Sequence, residues 1–540
     1  MATYFHLLLP EIVLGAVACV LMLLGCSNKV SSRRAAPMLA LITLIVVFIM
    51  LCVRSTGGVD HTEADSSGTL RLFHFSHYIK LLAAGVGVIL LLLSWPTNAE
   101  GTGNSAMNVG QESGEFFGLM LLSLTGIFLV AGANDLILLF LGIELASIPT
   151  YIMVSISRPL PVAQEAGVKY FFLGAMAAAV MLFGFSYLYG VTGSIKLDVI
   201  SHVLHPAVAG GAVSSAMTPW QVLAVVMLIA GFGFKIAAVP MHVYAGDVYQ
   251  GAATPVTAFL SFVPKTSGIV ALVKVLYSVG GAHWAVSPQI VKLLWVLAAL
   301  TMTFGNVLAL PQYNVKRLLA YSSIAHSGYM LVGITALAGA FGNISNPDER
   351  YNTQIAALQG VLFYLTAYGV TNAAAFGVLM MLPSRDSIAG KPAISAETIE
   401  DLAGQGRKHP MLGLCMTVCC LSLIGIPLTV GFIGKLLLIK PALSGGFTWL
   451  AIITVVNAAI SAAYYLRIVA TMFLRDPATN GAAEPAEPAK SFPIGMAIAL
   501  SVGGTLLLGV VLPLTQIVST GAQGGAQVDD GTIVPKVAVK

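Results

Sequence analysis

The chain is 540 residues long, 57% hydrophobic and 9% charged, with a formal net charge of +4. A soluble domain of ordinary composition carries about 25% charged residues, so water is not the main solvent of this protein. The small positive charge is dispersed among loops and excludes a nucleic-acid surface, and the polar stretches (97–114, 384–409, 476–491 and a tail from about 519) leave no place for a soluble catalytic domain.

A membrane-crossing helix needs about 20 mostly apolar residues, and 14 such runs follow one another along the chain, as expected of an all-α polytopic membrane protein. The first three fall at 6–26, 35–54 and 76–95. The first lacks a basic leader and a small-residue cleavage site and reads as a retained helix. Spans four (115–132) and five (134–156) are joined so tightly that they must form an antiparallel hairpin. The fifth, NDLILLFLGIELASIPTYIM, places Glu144 about ten residues inside an apolar run, near mid-membrane at 1.5 Å per residue. Span six covers 167–191. Span seven (219–248) contains GFGFKIAAVPMHVYAGDVYQG, where Lys235 lies five residues before Pro240 and His242 follows; span eight (252–278) carries Lys265 immediately after Pro264. Span nine runs over 288–311. Span ten (316–341) holds His326 among the hydroxyls of Tyr321, Ser322, Ser323 and Ser327. After span eleven (355–383), span twelve (410–441) reads LIGIPLTVGFIGKLLLIKP, with Lys435 eight residues after Pro427. Spans thirteen (447–474, with Arg467) and fourteen (492–518) complete the series.

Proline removes a backbone N–H and clashes with the preceding turn, so spans seven and twelve should be kinked or unwound at Pro240 and Pro427. The two breaks lie five helices apart, and break and lysine occur in reversed order. A five-helix unit has an odd number of spans, so its tandem copy enters the membrane upside down, and transporters with such inverted repeats place ion sites at the breaks. The expected organisation is therefore residues 1–114 as peripheral spans one to three, 115–280 and 281–475 as two inverted five-helix repeats, and 476–540 as loop, last span and tail.

A buried charge costs roughly 2.5 to 3.5 kcal/mol even on lenient insertion scales, so Glu144, Lys235, Lys265 and Lys435 are expected to handle ions or protons. A single buried lysine also fits a static ion pair, and His326 also fits a packing histidine. Lys80, Lys274 and Lys292 lie nearer span ends and read as snorkelling residues; Arg467 reads either as an anchor or as the close of a water path. Lys and Arg in the loops favour an orientation with both termini outside, which places about 13 positives (Lys29, Arg33, Arg34, Arg158, Lys169, Lys316, Arg317, Arg385, Lys391, Arg407, Lys408, Arg475 and Lys490) on the inner side. The six cysteines include no CxxC pair and read as buried small hydrophobes. No nucleotide loop, dinucleotide fingerprint, cluster-binding cysteine framework or HExxH motif is present, so no cofactor or metal is expected in this chain.

The segments FKIAAVPMH, DVYQGAATPVTAFLSFVPK, NVKRLLAYSSIAHSGYML, GIPLTVGFIGK and AAYYLRIVATMF, in that order, resemble the subunit N family of the bacterial proton-pumping NADH-quinone oxidoreductase, respiratory complex I. The match runs from about residue 115 to 475; the preceding residues add only span count and the early PEI of the first span. The resemblance implies an antiporter-like membrane subunit of 14 helices in the bacterial inner membrane, partnered by other membrane-arm and hydrophilic-arm subunits and by lipid. It implies that NAD, FMN, iron–sulfur clusters and quinone are bound by those partners. It also implies a polar axis in which Glu144 and Lys235 tune protonation, Lys265 and His326 relay, and Lys435 exchanges with the outer side. Tyr244, Gly246 and Ala253 stand where the family usually has Trp, Pro and Pro, which bears on the rigidity of the segment after the seventh span. The remaining readings are a subunit of a multisubunit sodium/proton antiporter or of a ferredoxin- or hydrogenase-linked complex, and a structural scaffold whose buried charges are static.

Overall fold

Hydrocarbon offers no partner for an exposed N–H or C=O, so each apolar run must satisfy its own backbone as a helix. The computed structural model describes residues 8–27, 30–56, 74–96, 113–205, 217–281, 283–384, 395–476 and 491–510, and they form helices joined by short links. In chain order these are α1 (Leu9–Gly25), α2 (Val30–Thr56), α3 (His74–Leu93), α4 (Ser113–Gly132), α5 (Leu136–Ile156), α6 (Pro161–Thr192), α7 (Leu197–Leu204), α8 (Pro219–Lys235), α9 (Ala245–Gly251), α10 (Thr254–Gly280), α11 (Pro288–Ala309), α12 (Val315–Asn343), α13 (Pro347–Met381), α14 (Gln405–Lys408), α15 (Pro410–Ile424), α16 (Val430–Ser444), α17 (Thr448–Leu474) and α18 (Phe492–Val510). Eleven of them are long and apolar enough to cross a membrane, and α1, α8 and α15 are shorter apolar helices. Counting α8 with α9 and α15 with α16 as two interrupted spans gives the expected fourteen.

Local chemistry fixes where the central helices begin. The Asp135 side chain accepts from the Leu138 N–H at 2.6 Å and starts α5, while Asn314 accepts from the Arg317 N–H at 3.0 Å and starts α12. Thr218 and Gln221 close a reciprocal cap on α8, and Thr429 starts α16. Pro161 and Pro347 occupy first-turn positions, which lengthens α6 and α13 beyond their apolar runs.

The helix neighbours repeat in two sets. α4 packs on α5 and α10 as α11 packs on α12 and α17; α5 packs on α6 as α12 packs on α13; α6 packs on the broken span α8/α9 as α13 packs on α15/α16. α10, α12 and α13 form the buried centre, whereas most of α6, α17 and α18 turns outward. α1–α3 lean on α4, and α18 packs on α3, α13 and α16. Among the described residues there is no β-strand, only isolated bridges such as Asp135 with Lys196 and Asn314 with Thr398.

The loop charges segregate by end. Arg158 and Lys316 both bind Glu397, and Lys169 and Arg317 both bind Asp247, all at one end of the bundle. Lys29, Arg385, Lys391 and Lys490 lie outside the described residues. Two lysines read as snorkelling do otherwise. Lys80 is buried in an ion pair with Glu11 that joins α3 to α1, because its position faces α1 rather than lipid. Lys274 turns inward and donates to the Ala133 carbonyl at 2.7 Å, covering the free end of α4.

Candidate functional site: a buried chain of amines, hydroxyls and tyrosines

Lys235 is the last residue of α8 and is 2% exposed. Its ammonium donates to Glu144 Oε1 at 2.9 Å, to Ser147 Oγ at 2.9 Å and to the Tyr151 hydroxyl at 3.1 Å. All three partners lie on α5 at spacings of three and four, hence on one helical face. Glu144 is the more open member of the pair, and Leu141 and Ile148 beside it face outward.

Beyond Lys235 the chain leaves the helix. Ala237 takes φ 56°, a left-handed conformation that costs a non-glycine residue about 1 to 2 kcal/mol. The freed groups find partners: the Phe234 carbonyl accepts from the Tyr244 hydroxyl at 2.8 Å, the Ile236 carbonyl from Ser327 Oγ at 2.6 Å, and the Val239 N–H donates to Thr301 Oγ1 at 3.1 Å. Tyr244 also stacks on Phe234 and Tyr170, with ring centres 4.3 Å and 5.1 Å apart. The residues that depart from the family pattern therefore tie the segment down. The Ala253 N–H donates to Ser157 Oγ at 3.1 Å, which proline in its place could not do, and a Cβ on Gly246 would lie 3.1 Å from the Tyr321 hydroxyl.

Ser327 links the break to the next amine. Lys265, on α10 and 2% exposed, donates to Ser327 Oγ at 2.8 Å and to the Ser323 carbonyl, and sits 5.6 Å from the centre of the Tyr368 ring. The Tyr368 hydroxyl donates to Ser323 Oγ at 2.6 Å, and Asn372 donates to Tyr368 at 3.1 Å. His326 stands among Tyr329, Tyr364 and Tyr368. Its Nδ1 bonds the Tyr364 hydroxyl at 2.6 Å and its Nε2 the Tyr465 hydroxyl at 3.2 Å, and Tyr465 in turn bonds Ser322.

Lys435 ends the series without a carboxylate. It donates to the carbonyls of Leu423 and Ile424, at 3.0 Å and 2.7 Å, where α15 stops at left-handed Gly425, and lies 4.7 Å from the centre of the Tyr329 ring. The unpaired carbonyls and negative dipole end of a helix suit an ammonium. This second break also contains a strained residue, Leu428 at φ 75°. Ser327 thus ties Lys265 to the backbone one residue past Lys235, and the tyrosine rings around His326 lie against Lys265 and Lys435.

Other expected accessories stand apart. Pro240 and Met241 are exposed, and half-buried His242 lies beside Phe304. Tyr321 lies against Gly246 rather than His326. Arg467 donates to the Leu310 and Gln312 carbonyls at 2.9 Å and 2.7 Å, closing the end of α11, and is thus an anchor. Reasoning from sequence missed Ser147, Tyr151, Tyr329, Tyr364, Tyr368 and Tyr465. It also missed a buried amide pair, in which Asn306 donates to Asn457 at 3.1 Å and accepts from Tyr464 at 2.9 Å. Among the described residues no group of His, Cys, Asp and Glu is placed to hold a metal ion.

Residues 133–461, which include Glu144, Lys235, Lys265, His326 and Lys435, match the model of the NADH:quinone oxidoreductase/Mrp antiporter transmembrane family. The chain belongs to that family. Within it, NADH-quinone oxidoreductase subunit N of Trichlorobacter lovleyi is 35% identical over 515 residues, covering 94% of both chains. Subunit N of Myxococcus xanthus is 39% identical over 421 residues, covering 74% of this chain and 76% of that one. A chain of respiratory complex I from Thermus thermophilus superposes with a TM-score of 0.70 at 29% identity, covering 93% of this chain and 98% of that one. A chain of the Mrp complex from Dietzia shares the fold, with a TM-score of 0.72 at 20% identity over 95% of this chain and 97% of that one.

Proposed function

We propose that this chain is a proton-translocating membrane-arm subunit of a bacterial NADH-quinone oxidoreductase. The observation that carries the reading is the buried sequence of protonatable groups, with a single carboxylate, Glu144, at one end and helix breaks beside Lys235 and Lys435. NADH oxidation and quinone reduction, with flavin and iron–sulfur clusters, belong to partner subunits in this reading. The same reading takes 115–280 and 281–475 as the two repeats, and an inner-membrane placement in which the Arg158–Glu397 end faces inward and both termini outward.

Magnitudes support the assignment. Moving one charge against about 200 mV costs roughly 4.6 kcal/mol. The attraction between Glu144 and Lys235 at 2.9 Å is about 6 kcal/mol at an effective dielectric of about 20. Making or breaking this one contact therefore involves an energy of the size a pumping step needs. Lys265, with hydroxyl and carbonyl partners, receives and passes on the proton; His326 and its tyrosines carry it toward Lys435.

In the assembled enzyme, Glu144→Gln and Lys265→Met should each lower the protons moved per electron while leaving assembly intact. Unchanged stoichiometry in both variants would overturn the proposal. The family model also covers the Mrp antiporter, which supports a second reading, a sodium/proton antiporter subunit. Purifying the native assembly separates them, since flavin-containing NADH-oxidising partners accompany only the first.

A further inference from the structure

At the end of the bundle that carries Glu397, three charged side chains from both repeats meet outside the chain of groups described above. Lys316, on the first turn of α12, is fully buried. It donates to Glu397 Oε1 at 3.0 Å and to the Ala252 carbonyl, between α9 and α10, at 3.0 Å. Arg158, just past α5, binds the same Glu397 oxygen. Glu397 is 27% exposed, so one carboxylate touches both the aqueous end and a fully buried amine. The hairpin that carries it is pinned by Asp401, which accepts from the Glu397 and Thr398 N–H groups at 3.1 Å and 2.7 Å. Arg317, the neighbouring cation, turns away to Asp247 and Gln250.

Inward from Lys316, hydroxyls follow one another toward Lys265. Thr254 is fully buried, two residues beyond the carbonyl that Lys316 holds, and its Oγ1 has no hydrogen-bond partner among the described residues. Thr257, Ser261 and Lys265 lie four residues apart on one face of α10. Thr257 donates to the Tyr249 carbonyl at 3.1 Å and Ser261 to the Ala258 carbonyl at 2.6 Å, and Tyr249 and Tyr368 both reach Ser323, at 3.5 Å and 2.6 Å. Lys265 holds the Ser323 carbonyl and Ser327.

We propose that Glu397, Lys316 and Arg158 form a proton-uptake gate at the seam between the repeats, feeding Lys265 along the stretch of α10 that carries Thr254, Thr257 and Ser261. Lys316 rests as an ammonium against the Glu397 carboxylate. When Lys265 is a neutral amine, Lys316 gives up one proton on its inward side and Lys265 takes one up to become an ammonium, so that one proton has passed from one amine to the other. Glu397, now facing a neutral amine, takes a proton from water and passes it to Lys316, which restores the starting pair. The net change is one proton moved from the aqueous end to Lys265. Arg158 holds Glu397 in place throughout.

This inference rests on the pumping role proposed above, and its test separates the two. In inside-out membrane vesicles carrying the complete enzyme, proton uptake per electron is measured for Lys265→Met, Lys316→Met, Thr257→Val, Thr257→Ser and Arg317→Gln. The gate requires Lys316→Met and Thr257→Val to lower uptake to the Lys265→Met level, Thr257→Ser to restore it and Arg317→Gln to leave it unchanged. The threonine pair keeps the test open if Lys316→Met fails to assemble. Glu397→Gln should in addition shift the dependence of uptake on bath pH, which a purely structural residue would not. A fall in Lys265→Met with normal uptake in Thr257→Val and Lys316→Met would overturn the gate and leave the pumping role standing. Normal uptake in Lys265→Met as well would overturn both.

Discussion

At the scale of single residues, Lys80 shows what burial does to a charge. It is 3% exposed and held by Glu11, whose second oxygen has no partner among the described residues. Removing one member of a buried pair leaves the other uncompensated, at about 3 to 5 kcal/mol, whereas replacing both with apolar groups is often neutral. Lys80→Met should therefore sharply reduce the heat tolerance of the assembled subunit, and the double replacement Glu11→Leu with Lys80→Met should recover most of it. A snorkelling lysine predicts no difference between the two, so thermal retention of the subunit in the complex decides the point. The sequence made Glu144, Lys235, Lys265 and Lys435 legible because a charge in an apolar run has few explanations. It hid Tyr329, Tyr364, Tyr368 and Tyr465, because a tyrosine in a membrane helix is ordinary until its neighbours in space are known. Ser147 and Tyr151 were within reach, since they share the face of α5 that bears Glu144.

At the scale of elements, the two interrupted spans place buried amines against helix ends. Prolines marked both interruptions in the sequence, but the partners that make the first tolerable come from helices distant in the chain: Thr301 of α11 and Ser327 of α12. No local pattern reveals them, because they depend on how α11 and α12 pack against the break. Thr301 is fully buried, and its hydroxyl is the partner of the Val239 N–H. Thr301→Val keeps the shape and removes the acceptor, leaving a buried donor unsatisfied at about 1 to 3 kcal/mol. Hydrogen–deuterium exchange should then speed up over residues 236–245 and leave α12 protected. Equal exchange in both proteins would mean that the break draws its order from Tyr244 and its ring stack alone.

At the scale of the whole molecule, two carboxylates, Glu397 and Asp247, tie residues 115–280 to residues 281–475 at one end of the bundle. Glu397 is gripped by Arg158, just past α5, and by Lys316 of α12, and the Val315 N–H donates to the Glu397 carbonyl at 2.7 Å. The paired breaks five helices apart led to the expectation of two five-helix units, yet nothing in the stretch after Pro392 distinguished Glu397 from its loop neighbours. Burial alone would push its carboxyl up, but the charges of Lys316 and Arg158 outweigh that and hold it below the ordinary carboxylate range. A carboxyl depressed by folding contributes stability at pH above its unfolded value, near 4.3, and loses it as pH falls through the lower folded value. Between neutral pH and about 5 the hairpin should therefore stay docked, and below about 4 it should loosen as Glu397 takes up a proton. Limited proteolysis of the purified complex across that range, read at residues 395–402, should show cleavage rising only at the acid end. Glu397→Gln should be cleaved at neutral pH with little further change on acidification, because the amide cannot supply the charge that Arg158 and Lys316 require. Acid-induced cleavage of equal size in both proteins would assign the loosening to another group, with Asp401 beneath the same hairpin the next to replace.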